Sequence, residues 1–131
     1  MGVDTHSNLK KIIDKITTVN FDTLLISGDL AHNGTPESYQ ILKEILSPLQ
    51  NNLVIMPGNH DSTENLSQLF GKNLIPNSSL GDWEIITTNS VQVAQTSGFL
   101  TQNTLLNLDL SLKNTKAKYN VVVLQDRKSV V

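Results

Sequence analysis

The fold is decided by the stretch Phe21–Asp61, which runs FDTLLISGDLAHNGTPESYQILKEILSPLQNNLVIMPGNHD. Two short apolar runs in it, Phe21–Ser27 and Leu53–Pro57, are each followed by a glycine and have the length and composition of buried strands. Between them Thr35–Glu37 is a typical helix start, because a capping threonine precedes a proline at the first helical position. The stretch therefore predicts a strand, a helix and a second strand of a parallel sheet.

The rest of the chain continues this alternation of helical and extended patterns. Apolar residues recur at helical spacing over residues 9–19, and the segment Pro76–Gly81 is rich in turn-forming residues. We therefore predict the α/β class with a largely parallel sheet. The remaining predicted elements are a helix from Ser62 or Thr63 to Phe70, a strand over Trp83–Thr88, a helix over Thr101–Leu112 and a strand over Tyr119–Leu124.

Length and composition exclude several classes of function. A chain of 131 residues has the size of one domain, and its net charge of −2 argues against nucleic acid as a partner. No apolar run is long enough to span a membrane, and Met1–Asn8 lacks the features of a secretory signal, so we expect a cytoplasmic protein. Because the chain has no cysteine, any metal site must use oxygen and imidazole ligands.

Two polar loops follow the two predicted strands, Gly28–Gly34 (GDLAHNG) and Gly58–Asp61 (GNHD). An aspartate after a strand often caps a turn, so the first loop alone is weak evidence for a site. Together the two loops are far more specific, because ligand-binding loops of parallel sheets gather at the carboxyl ends of the strands. We therefore expect Asp29, Asn59 and His60 to lie close together, where a carboxylate, an amide oxygen and an imidazole can bind metal or move a proton.

These loops resemble those of the calcineurin-like metallophosphoesterases. The longer stretch SGDLAHNGTPESYQILKEILSPL is similar in particular to the class III 3′,5′-cyclic-nucleotide phosphodiesterases. The resemblance implies an αββα sandwich that holds two divalent metal ions, commonly iron, manganese or similar. It also implies hydrolysis of a small phosphodiester, such as a cyclic nucleotide, by metal-activated water.

The resemblance assigns a role to four residues of this chain by motif match. It makes Asp29 the carboxylate that bridges the two metals and Asn59 a ligand to one of them. It makes His60 the proton donor that contacts the phosphate, and Asp61 the residue that orients His60. The resemblance thus implies that these four residues take part in metal-dependent hydrolysis of a phosphodiester.

Other parts of the chain depart from the family pattern. Asp4-Thr5-His6 looks like the first family motif, D-x-H, but the amphipathic helix that follows favours a helix cap over a pair of metal ligands. His32 is expected to be an exposed loop residue. No histidine follows His60, so the later ligand motifs are absent from the 131 residues.

The departures from the family pattern predict an incomplete domain. We interpret residues 1–124 as part of a calcineurin-like phosphoesterase domain that is truncated at both ends, and residues 125–131 as a tail that does not resemble the family. Three alternatives stay open: a cyclic-nucleotide phosphodiesterase, a metallophosphoesterase with another phosphodiester substrate, and a non-catalytic fragment or one member of a complementing pair. We expect little or no activity of the isolated chain because it has too few ligands for two cations. The pattern does not fix the metal, the substrate or the oligomeric state.

Overall fold

The computed structural model of the chain describes residues 4–75, 77–90 and 98–124. The predicted tail at 125–131 and the residues before Asp4 lie outside the described residues. Helices and strands alternate along most of these ranges, which confirms the α/β class. The helices are α1 (Thr5–Ile16), α2 (Pro36–Leu46), α3 (Thr63–Phe70) and α4 (Gln102–Asn114), and the strands are β1 (Leu24–Ser27), β2 (Leu53–Met56), β3 (Asn77–Leu80), β4 (Trp83–Thr88) and β5 (Tyr119–Leu124).

The first sheet pairs β1 with β2 in parallel and carries the main core. The register places Leu24 opposite Leu53 and Ser27 opposite Met56, so both strands end at the same edge of the sheet. Every residue of β2 is buried, which explains its uninterrupted apolar sequence. Helices α2 and α3 cover the sheet with apolar side chains that are almost fully buried. Among the largest fully buried side chains are Tyr39 and Leu46 of α2, Ile55 of β2 and Leu66 of α3.

The second sheet has the order β3-β4-β5. Strand β4 is parallel to β5, as a largely parallel arrangement predicts, but β3 is antiparallel to β4. Most of the segment that is rich in turn-forming residues is therefore a strand. Asn77–Leu80 forms β3 because it pairs with β4. The turn between β3 and β4 consists of only Gly81 (φ 56°) and Asp82. A serine-rich strand has a weak sequence signal, since its stability comes from the neighbouring strand.

The second half of the chain is much less buried than the first. Helix α4 has no buried residue in spite of its many leucines, and β5 lies at the edge of its sheet among the described residues. Leu105, Leu110 and Val122 are among the large apolar side chains that remain exposed there. Within the described ranges no helix combines the length and the apolar character that crossing a bilayer requires.

Candidate functional site

The two polar loops meet at the carboxyl edge of the first sheet, as the sequence predicted. Each loop leaves its strand after the last paired residues, Ser27 and Met56, which are opposite each other in the parallel register. The backbone turns sharply in the first loop, where Gly28 has φ 88° and Asp29 has φ 53°. A left-handed conformation is uncommon for a residue with a side chain, although aspartate tolerates it better than most. This turn brings Asp29 towards the second loop.

The Asp29 side chain joins the two loops directly. Its Oδ1 accepts a hydrogen bond of 3.2 Å from the backbone N–H of His60, across 31 positions of sequence. The Asp29 residue as a whole stays exposed, whereas His60 is half-buried. The carboxylate is therefore held at the loop junction and remains open to solvent.

Asp61 links the two loops by hydrogen bonds to the backbone of both. Its carboxylate accepts hydrogen bonds from the backbone N–H groups of Leu30 (3.1 Å), Ala31 (3.1 Å) and Gly58 (2.8 Å), and from the Tyr39 hydroxyl (2.9 Å). Four donors match the acceptor capacity of one carboxylate. We predicted that Asp61 orients His60. In the described structure its oxygens accept hydrogen bonds from backbone N–H groups of both loops. Asp61 can therefore affect the orientation of the His60 imidazole only through the conformation of the loops.

Tyr39, a buried residue of α2, completes this network. Its side chain is fully buried, and its hydroxyl donates to Asp61 and accepts from the backbone N–H of Ser62 at 2.9 Å. Burial, together with the hydrogen bond to Asp61, raises the pKa of Tyr39 to about 12. A tyrosine at an otherwise apolar helical position was the only signal that could have indicated this role.

Gly34 lets the two loops approach this closely. It has φ +58°, and a Cβ at this position would lie 2.9 Å from the backbone nitrogen of Ser62 and 3.2 Å from the carbonyl oxygen of His60. The Gly34 carbonyl also accepts a 2.8 Å hydrogen bond from the Asn65 side chain on α3. Any larger residue would push the first loop away from the second.

We predict that alkaline pH destabilises the chain through Tyr39. The folded-state pKa is raised from 10.0 to about 12. The neutral phenol therefore contributes stability in full below pH 10.0, and this contribution is lost as the pH rises towards about 12. The chain has two tyrosines, so a Tyr119→Phe variant leaves Tyr39 as the only one, and the ultraviolet absorbance of tyrosinate reports its titration. A midpoint at the ordinary tyrosine value would contradict the network.

The side chains of Asn59 and His60 face different surroundings. The side-chain oxygen of Asn59 is shielded from solvent. The His60 imidazole stacks on that of His32, with ring centroids 5.3 Å apart and an angle of 23° between the planes. His32 is exposed, as predicted, but its contact with His60 was not foreseen, because 28 positions separate the two residues. The assigned roles of Asp29, Asn59, His60 and Asp61 in catalysis stay predictions.

Asp4 caps the first helix, which confirms the interpretation of Asp4-Thr5-His6. The Asp4 carboxylate accepts a 3.0 Å hydrogen bond from the backbone N–H of Ser7 in the first turn of α1. This interaction with Ser7 holds the pKa of Asp4 below its usual value. His6 is exposed on the same helical turn.

We predict that Asp4→Ala frays the first turn of α1. The Ser7 amide then loses its acceptor, and its hydrogen exchange becomes faster, whereas exchange in β2 does not change. Acid has the same effect on the unmodified chain. The depressed pKa means that the stabilisation is present above the usual value of 3.8 and is lost as the pH falls through the lower folded-state value. Asp14→Ala, an exposed position of the same helix, is the control, and an equal effect there would contradict the cap.

These residues are too few to hold the pair of divalent ions that the resemblance implies. Among the described residues no three or more Asp, Glu or His side chains come together as a group that could bind a metal. Asp29, Asn59 and His60 offer one carboxylate, one amide oxygen and one imidazole. Two cations about 3.5–4 Å apart repel each other strongly and need a larger shared set of ligands. The donor set therefore does not fit a dinuclear site by itself.

The chain is similar in sequence to several known proteins. The chain is 55% identical over 124 residues to a probable cyclic nucleotide phosphodiesterase of Ruthia magnifica subsp. Calyptogena magnifica, covering 95% of this chain and 53% of that protein. It is 53% identical, with the same coverage, to a probable cyclic nucleotide phosphodiesterase of Vesicomyosocius okutanii subsp. Calyptogena okutanii. A 3′,5′-cyclic-nucleotide phosphodiesterase of Nostoc sp. is 31% identical over 117 residues, which are 86% of this chain and 44% of that protein.

The chain thus spans about half the length of the curated relatives that it matches. The sequence model for calcineurin-like phosphoesterases matches residues 3–125, which include both polar loops and the five strands of the described residues. The chain belongs to the calcineurin-like phosphoesterase family.

Proposed function

We propose that this chain contributes one part of the active site of a metal-dependent phosphodiesterase that acts on 3′,5′-cyclic nucleotides. The observation that carries the proposal is the junction of the two loops, where the Asp29 carboxylate accepts a hydrogen bond from the His60 amide. The names of the relatives at 53% and 55% identity support a cyclic nucleotide as the substrate class. The net charge of −2 agrees with a small substrate rather than with nucleic acid.

Each residue of the junction has a definite task in this proposal. Asp29 supplies the negative charge that attracts metal ions, and its exposure leaves it accessible to them. Asn59 adds a neutral oxygen ligand. His60 contacts the phosphate and donates a proton to the leaving oxygen, since an imidazolium N–H can act as a general acid. Divalent ions such as iron or manganese, if held there with further ligands beyond these three residues, would supply the chemistry that activates water.

The limited donor set predicts the behaviour of the isolated chain. The purified 131-residue chain will not hydrolyse cyclic AMP or an aryl phosphodiester measurably above background, even with excess Mn²⁺ or Fe²⁺. The measurement is product release at several metal concentrations, with the Asn59→Ala variant as a control. Robust metal-dependent turnover that Asn59→Ala abolishes would show that the chain has a complete set of ligands and would contradict this prediction.

A fusion protein tests the proposed function itself. Residues 3–124 of this chain are joined to the part of the Ruthia relative that they do not match, which restores the length of that relative. We expect metal-dependent hydrolysis of cyclic nucleotides by the fusion, and none by either part alone. A panel that adds a glycerophosphodiester and an aryl phosphodiester distinguishes the alternative substrates. A folded fusion that hydrolyses none of these compounds, next to an active relative, would support the non-catalytic alternative.

A further inference from the structure

A cavity lies beside the loop junction, between α1, the loop after β1 and α2. Its volume is about 360 Å³, which is within the range of small-molecule sites, ~300–1,000 Å³. Leu9 and Ile41 are among the apolar side chains of its walls. His6, His32 and Asn33 supply imidazole and amide groups. This combination of apolar walls and a few polar groups is typical of a site for a neutral organic ligand.

His32 connects this cavity to the loop junction. It lines the cavity, and its imidazole stacks on that of His60. Two of the chain's three histidines, His6 and His32, therefore line the cavity, and His32 also contacts the third, His60, at the loop junction. The cavity and the loop junction are therefore joined through one side chain, that of His32.

The lining of the cavity restricts the chemistry of its ligand. None of its described lining residues is a lysine, arginine, aspartate or glutamate, so it has no fixed charge with which to bind a second phosphate or a cation. Ile41 is 46% exposed, which leaves an apolar surface for a flat ring to cover. The imidazole of His32 offers a ring to stack on, and the Asn33 amide can pair with the edge of a heterocycle. These features favour an uncharged, planar, hydrogen-bonding ring.

We propose that this cavity is a subsite for the base of a nucleotide. The inference rests on the proposed function, because it places the phosphate of a cyclic nucleotide at His60 and its base beyond His32. In this arrangement His32 separates the subsite from the loop junction, and Ile41 covers one face of the base. The cavity then selects nucleotides over phosphodiesters that lack a base.

Nuclear magnetic resonance of the 131-residue chain tests the subsite without any need for turnover. Its three histidines give three imidazole signals, which His→Gln variants assign one by one. Adenosine, which has no phosphate, is the probe for the subsite, and ribose is the probe without a base. We expect adenosine to shift the signals of His6 and His32 in a saturable manner and ribose to leave them unchanged. No shift with adenosine, or an equal shift with ribose, would overturn the proposal.

Two isoleucines provide a matched pair of variants. Ile41→Lys places a charged chain in the wall of the cavity, and we expect it to weaken adenosine binding at least ~10-fold. Ile12→Lys alters an isoleucine that is 54% exposed on α1 and is not part of the cavity lining. The affinity of this variant for adenosine should therefore equal that of the unmodified chain. Equal weakening by both variants would overturn the proposal. Circular dichroism checks that each variant is folded.

The adenosine-binding experiment and the fusion-protein experiment can fail independently of each other. If the fusion protein hydrolyses cyclic nucleotides but adenosine does not bind to the chain, the subsite is wrong and the proposed function stands. If adenosine binds as expected but the folded fusion is inactive, the proposed function is wrong and the base-binding cavity stands.

Discussion

Asp61→Ala is expected to lower the free energy of unfolding of the chain by about 3 kcal/mol. The substitution removes the acceptor of four hydrogen bonds, three from backbone amides of the two loops and one from Tyr39. Hydrogen bonds to a charged group contribute about 1.5–3 kcal/mol each, but their effects do not add when they share one acceptor. The loss is a large share of the stability of a small domain, about 5–15 kcal/mol.

Urea denaturation followed by circular dichroism measures this loss. Asp14→Ala is the matched control, because Asp14 is exposed on α1 and should change stability by no more than about 0.5 kcal/mol. Tyr39→Phe, which removes the hydroxyl between Asp61 and Ser62, should fall between the two. If Asp61→Ala is as stable as Asp14→Ala, Asp61 does not hold the loops together.

Asp29→Asn should reduce the turnover of the active fusion protein at least ~100-fold. Loss of a residue that only supports a metal ligand typically costs 10–100-fold in affinity or activity, and Asp29 is proposed as a ligand itself. The asparagine oxygen can still accept the hydrogen bond from the His60 amide, so the loop junction is preserved. The variant therefore removes the negative charge and leaves the fold in place.

The ratio kcat/KM for cyclic AMP and the midpoint of urea denaturation separate the two effects of Asp29→Asn. We expect kcat/KM to fall and the midpoint of urea denaturation to stay the same. Asp22→Asn is the control, because Asp22 is an exposed aspartate before β1, away from the loop junction. Undiminished turnover of Asp29→Asn would show that the Asp29 carboxylate does not hold the metals, and with it the assignment of the site would fall.

The sequence predicted the parts of the site that depend on local signals. Two apolar runs that each end at a glycine identify β1 and β2, and parallel pairing then brings Asp29 and His60 to one edge. The contact of Tyr39 with Asp61 was not predictable in this way, because it spans 22 positions and depends on how α2 packs against the second loop. The stacking of His32 on His60 depends in the same way on the shape of both loops. Local patterns show where a strand ends, but the partners of a side chain are set by packing.

The exposed apolar side chains of α4 and β5 are a surface on which other molecules can pack in concentrated solution. Strand β5 consists of Tyr119–Leu124, has no charged side chain, and lies at the edge of its sheet in the described structure. Uncharged apolar edges of this kind pair readily with strands of other molecules. The net charge of −2 gives little electrostatic repulsion to oppose such pairing. We therefore expect the isolated chain to self-associate through this strand and helix, on the half of the molecule that carries neither polar loop.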